Sequence, residues 1–210
     1  MKFCTPLFPR LVFSVAVLLG SIVRADTTVV ILRHGEKPSA GLGQLTCRGL
    51  NRSLALAPVL LGRYGMPTAI YAVNPSSEKF DNGVAYAYVR PLATIEPLAI
   101  HASLPVNIQW GMTEIEPLAA QLLSKSDGTY VVAWEHHWGE ALAKKMLSSA
   151  GGKSGDVPNW NDADFDSLFV IRMTHDDQGK SIANFSHEQQ DLNGLPIQCS
   201  DATGSVPEHS

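Results

Sequence analysis

The chain has 210 residues, 45% hydrophobic, 17% charged and 8% aromatic, with 17 Gly, 13 Pro and three Cys, a profile that excludes a disordered, collagen-like or disulfide-dense protein. Its formal net charge is −4, and the first 25 residues hold three bases and no acid, so the remainder carries 13 basic against 20 acidic residues, a net charge of −7. Nucleic acid is therefore a disfavoured partner.

Lys2 and Arg10 precede the apolar run Leu11 to Val23, and Val23-Arg24-Ala25 offers small or branched residues where a signal peptidase reads. Residues 1–25 are expected to be a secretory signal and 26–210 one exported domain, extracellular, or periplasmic in a bacterial host. The run is shorter than the roughly 20 residues that cross a bilayer, so no stable membrane association is expected after its removal. Cys4 leaves with the signal. Cys47 and Cys199 remain as an even pair in an oxidising compartment, where a bridge would tie the C-terminal tail to the front of the chain; two free thiols are the alternative. Asn51-Arg52-Ser53 and Asn184-Phe185-Ser186 match the N-glycosylation acceptor.

Thr27 to Leu32 is an apolar, β-branched run typical of a buried parallel strand, and it ends in Arg33-His34-Gly35-Glu36. Gly49 to Leu61 shows helical spacing, with Pro58 a candidate kink, and Gly65-Met66-Pro67 stops it before the short strand Ala69 to Val73. Residues 74–88 are rich in turn formers and read as a surface loop. A helix follows near Arg90 to Ile100; Pro97 requires it either to begin near Thr94 or to kink. Glu114 to Leu123 reads as another helix. Thr129 to Trp134 is a strand running into Glu135-His136-His137, with a helix from about Gly139 to Leu147. Ser167 to Met173 is a last buried strand, His175-Asp176-Asp177 a polar turn, and Ser181 to Ser210 polar and loop-like. Strands alternating with helices predict an α/β fold, a three-layer α/β/α sandwich with a mainly parallel central sheet.

In such sheets ligands bind beyond the C-terminal strand ends. Two strands end there in ionisable groups, Arg33-His34-Gly35-Glu36 and Glu135-His136-His137. A histidine beside an arginine and a helix N-terminus is placed to meet an anion such as phosphate.

The stretch Leu32-Arg33-His34-Gly35-Glu36 resembles the signature of the histidine phosphatase superfamily, in its phosphoglycerate mutase-like first branch. Leu45-Thr46-Cys47-Arg48-Gly49 is similar to the stretch opening the family's first helix, Arg90-Pro91-Leu92-Ala93-Thr94 to its Arg-x-x-x-Thr motif, and Val131 to His136 to the strand ending in its second histidine. The resemblance covers about residues 27–150. It implies a metal-independent phosphomonoesterase with no cofactor, acting on a small phosphorylated substrate, in which His34 takes the phosphoryl group and Arg33, Arg90 and His136 line its pocket. An acid between the second arginine and second histidine would protonate the leaving oxygen: Glu114, at a loop-to-helix junction, is the choice over Glu96 and Glu116, with Glu36 as substitute and substrate contact.

The 74–88 loop is longer than the family's usual connection, which predicts an unusual substrate rim. The grip of a true mutase is missing after Lys37-Pro38-Ser39. Trp110, Trp134, Trp138 and Tyr71 are expected in the core. A non-catalytic phospholigand-binding domain is the alternative. A metal site of His34, His136 and His137 is disfavoured, because neither a His-x-x-x-His spacing nor a carboxylate triad accompanies them. Substrate identity and oligomeric state leave no mark in the sequence.

Overall fold

The computed structural model describes Met1 and residues 27–175 and 181–199. The expected signal segment, Asp176-Asp177 of the expected polar turn, and the end of the tail lie outside the described residues. Among those described, no helix is long and apolar enough to cross a membrane.

In chain order the elements are β1 (Thr27–Arg33), α1 (Cys47–Tyr64), β2 (Ala69–Ala72), β3 (Glu78–Asp81), β4 (Val84–Ala87), α2 (Arg90–Ala102), β5 (Val106–Asn107), α3 (Ile115–Leu123), β6 (Gly128–Trp134), α4 (His136–Ser149), β7 (Ser167–His175) and β8 (Ser181–Gln189). The main sheet runs β5-β2-β6-β1-β7-β8. Strands β5, β2, β6 and β1 are mutually parallel, and only β7 runs against them, pairing antiparallel with both β1 and β8.

Strand alternation divides the core into two layers. Val29 and Ile31 join the α3 and α4 side, whereas Val30 and Leu32 join the α1 and α2 side. All four are at most 1% exposed, and each such side chain contributes about 1.5–3 kcal/mol by leaving water. The arrangement is a three-layer α/β/α sandwich.

Several elements differ from expectation. Residues 74–88 are not a loop throughout: β3 and β4 form a separate hairpin. Its turn, Asn82-Gly83, takes positive φ at both residues, 52° and 82°, the geometry that an Asn-Gly pair adopts between antiparallel strands. Residues Ser181 to Gln189 are not loop but an edge strand, β8, paired along the whole of β7. Helix α2 begins at Arg90, within its expected range, with Pro91 in its first turn and Pro97 inside, so of the two alternatives the later start near Thr94 is the one not adopted. Helix α4 begins at His136, three residues before the expected Gly139. Trp134 and Tyr71 are core residues, with Trp110 and Trp138 packed partly buried against them.

Cys47 and Cys199 form a disulfide, with Cα atoms 4.6 Å apart. It fixes the start of α1 to the segment after β8. The Asn51 amide, on α1, donates to the carbonyls of Pro196 and Gln198 at 3.0 and 2.8 Å.

Candidate active site

Strands β1 and β6 are hydrogen-bonded neighbours that end level with each other, Arg33 opposite Trp134. Their following residues therefore emerge side by side, and the His34 N–H donates to the Trp134 carbonyl at 3.2 Å. Helices α1 and α4 leave the two strand ends on opposite faces of the sheet, which opens a crevice between them. Strand β7 runs the other way and so brings the loop before it, carrying Asp162 and Phe165, to the same edge.

Two glycines allow the β1–α1 turn to lie close to its helix. A Cβ on Gly35 would stand 2.9 Å from Gly49 backbone atoms, and one on Gly49 2.5 Å from the Glu36 carbonyl. Thr46 caps α1 by accepting the Gly49 N–H at 3.2 Å. Thr94 links the turn to α2: its hydroxyl accepts the Gly35 N–H at 2.9 Å and donates to the Arg90 carbonyl at 2.8 Å.

A cleft of about 220 Å³ lies at this edge, lined by Arg33, His34, Lys37, Lys79, Arg90, Glu135, His136, His137 and Asp162. Arg33, His34, Arg90 and His136, named from the sequence, are thus brought together around one space. Glu114 and Glu36, also named from the sequence, are not among the residues that line it. Glu114 stands at the start of α3, where its carboxylate accepts the Gly111 N–H at 2.7 Å. The Glu36 carboxylate is held by Arg52 at 2.8–3.2 Å through both of its oxygens. Arg52, fully buried, also grips Asp166 at 2.8 Å, so this chain of ions braces the fold behind the cleft.

His34 is 2% exposed. Its Nδ1 donates to the Gly35 carbonyl at 2.7 Å, and since a carbonyl only accepts, the neutral ring keeps its lone pair on Nε2. Burial, with the Arg33 and Arg90 charges adding to it, lowers the His34 pKa to about 3. The edge of the Tyr88 ring and the tilted face of Phe165 pack against it, with centroids 5.8 and 6.1 Å away.

Each arginine is anchored through one nitrogen. Arg33 Nη1 donates to the carbonyls of Asp162 and Asp164 at 2.6 and 3.0 Å. Arg90 Nη1 donates to Asp81 at 2.8 Å and to the Gly41 carbonyl at 3.2 Å. The Nε of both is buried without a partner, and among the described residues no protein group accepts from either Nη2. The Nε–Nη2 edge of each guanidinium is therefore uncommitted. That edge is the fork which grips carboxylate or phosphate, and burying its donors unpaired costs about 1–3 kcal/mol each. The Tyr88 hydroxyl is likewise buried and unpartnered.

Glu135 and Asp162 are the carboxylates of the cleft. Burial opposes ionisation of Glu135, yet its contact with His136, the Lys79 ammonium 3.6 Å away and the Trp138 N–H outweigh it and bring its pKa down to about 2. Asp162, on an exposed loop, lies with Oδ1 at 2.6 Å from His136 Nε2, a contact that holds its carboxyl below the usual range.

Several contributors escape the sequence reading. Lys79 comes from the hairpin, and Asp81 is the buried counter-ion of Arg90. Asp162 sits in a segment without periodicity. His137 enters the sequence reading only as a member of a disfavoured metal site. The Asn82-Gly83 pair was the one available signal, since it predicts the hairpin that carries Lys79 and Asp81.

No protein-family model and no curated protein matches the chain. Among solved structures it is similar to a protein described as a phosphohistidine phosphatase, SixA from Agrobacterium tumefaciens, at 14% identity and a TM-score of 0.45, over 76% of this chain and 97% of that one.

Proposed function

We propose that the protein is a phosphomonoesterase that hydrolyses small phosphorylated substrates through a phosphohistidine at His34, without a metal or cofactor in the chemical step. The observation that carries this reading is the pair of uncommitted guanidinium edges, Arg33 and Arg90, in the same cleft as a neutral imidazole whose free nitrogen is Nε2. Two cationic forks favour a dianion, and a neutral imidazole is a nucleophile without needing a base.

In the first displacement His34 Nε2 attacks phosphorus and the bond to the leaving oxygen breaks. The guanidiniums hold the equatorial oxygens as charge redistributes. The leaving oxygen takes the proton shared by His136 and Asp162, the pair 2.6 Å apart at the cleft mouth. Glu135 stands behind His136, 3.0 Å from Nδ1, and not beside the Nε2 that Asp162 meets. In the second displacement water attacks the phosphohistidine, its proton returns to the His136–Asp162 pair, and the P–N bond breaks to release phosphate. Lys37 and Lys79, at the rim, attract the dianion.

We place this activity outside the cytoplasm. Residues 1–25 have the charge and apolar pattern of a secretory signal, residues 26–210 form the working domain, and the Cys47–Cys199 bridge suits an oxidising compartment.

The test is hydrolysis of an aryl phosphate by the wild type and by His34→Ala, in the presence of a chelator. Turnover by the wild type alone supports the reading. Binding of phosphate with no turnover by either protein would point to a phospholigand-binding domain instead.

A further inference from the structure

We infer that the mouth of the cleft is also a binding site for a divalent cation of the zinc class, formed by His136, His137 and Asp162. A cation bound there inhibits the enzyme, and this second part rests on the phosphatase reading above.

The two histidines are consecutive at the start of α4, with ring centroids 4.0 Å apart and planes tilted by 35°. Both point at one oxygen. Asp162 Oδ1 lies 2.6 Å from His136 Nε2 and 3.4 Å from His137 Nε2. Zinc with tetrahedral ligands at about 2.0–2.1 Å holds neighbouring donors about 3.3 Å apart. The His137 distance already matches that spacing. The His136 contact is at hydrogen-bond length and so is shorter, and the Asp162 side chain, 80% exposed, is free to move out and admit the ion.

A second feature points to a metal independently. His136 is 8% exposed and its Nδ1 is buried without a well-directed hydrogen bond, although Glu135 Oε1 stands 3.0 Å away. A carboxylate behind the far nitrogen is the usual support of a metal-bound imidazole: once Nε2 coordinates, the proton sits on Nδ1 and the carboxylate accepts it. Glu135 is fixed in place by Lys79 at 3.6 Å and the Trp138 N–H at 3.1 Å, so it is positioned for that role. Nitrogen donors with one carboxylate oxygen select zinc-like ions over calcium, which takes an all-oxygen shell.

The balance of binding is simple. The cation forms bonds to both imidazole nitrogens and to Asp162, and the proton shared by His136 and Asp162 leaves for solvent. His136 Nε2 then has no hydrogen to offer an oxygen of the substrate, and the leaving group loses its proton source.

Calorimetric titration of the untagged protein with Zn²⁺ in a non-coordinating buffer tests the site, alongside aryl phosphate hydrolysis against free Zn²⁺. The wild type should bind one ion per chain and lose turnover at the same concentration. His137→Ala should bind at least about tenfold more weakly, the loss that even an outer partner of a metal site can cause, and its turnover, taken relative to its own zinc-free rate, should survive the Zn²⁺ level that stops the wild type. Unchanged affinity in His137→Ala, equal binding of Ca²⁺, or turnover that rises with Zn²⁺ and vanishes with chelator would each overturn the inference. If no sample hydrolyses phosphate while zinc binding still depends on His137, the phosphatase reading fails, the inhibitory part fails with it, and the site stands.

Discussion

The Nδ1 of His34 points at the carbonyl of its own neighbour, Gly35, 2.7 Å away, so the ring is committed to one tautomer before any substrate arrives. The buried ring stays neutral down to about pH 3. An unfolded chain binds a proton at this histidine below about pH 6.5, whereas the folded one does not until pH approaches 3. Stability from this residue is therefore present above the unfolded value and falls as pH drops through the interval, by up to about 1.4 kcal/mol per pH unit. Urea unfolding of wild type and His34→Asn between pH 7 and 4 should show a shallower pH slope in the variant.

Arg90 and Asp81 are both almost wholly buried and meet at 2.8 Å. Replacing only the arginine strands a carboxylate. Arg90→Met should abolish turnover and cost about 3–5 kcal/mol of stability, and adding Asp81→Leu should recover much of the stability and none of the activity. Urea midpoints and aryl phosphate assays on the single and double variants check both statements.

Asp162 and Glu114, as sources of the proton, are separated by leaving-group dependence. Asp162→Asn should slow hydrolysis of alkyl phosphates about 10²-fold, within the usual range for general acid catalysis, and that of nitrophenyl phosphate much less. Glu114→Gln should leave the ratio of the two rates unchanged, because Glu114 is outside the cleft and bonded to the Gly111 N–H.

The central residues of this site were legible because each sits where a strong local pattern stops. Arg33-His34 and Glu135-His136 follow buried β-branched or apolar strands, and Arg90 opens a helix whose Thr94 binds back to the turn after His34. The rest depended on distant chain segments. Glu36 looks like a site residue in sequence, but Arg52, sixteen positions later, turns its carboxylate away from the cleft. Asp162 enters through the reversal of β7, which no local spacing announces. Strand β8 was missed because it is an edge strand with mostly exposed or half-exposed polar residues, so the apolar alternation that marks a strand is weak. The hairpin was missed because its strands have four residues each and bury only Asp81.

The Cys47–Cys199 bridge closes a span of 152 positions. In the chain-entropy account such a loop stabilises by about 4–5 kcal/mol. Reducing it, or making Cys47→Ser with Cys199→Ser, should lower the urea midpoint accordingly and leave turnover intact at 25 °C, since neither cysteine lines the cleft.

The most direct measurement is to quench the protein in base during turnover of a ³²P-labelled phosphomonoester and map the label by mass. One base-stable, acid-labile phosphoryl group on His34, absent from His34→Asn, is the predicted result. Turnover without any trapped histidine label, or a label on another side chain, would contradict the account.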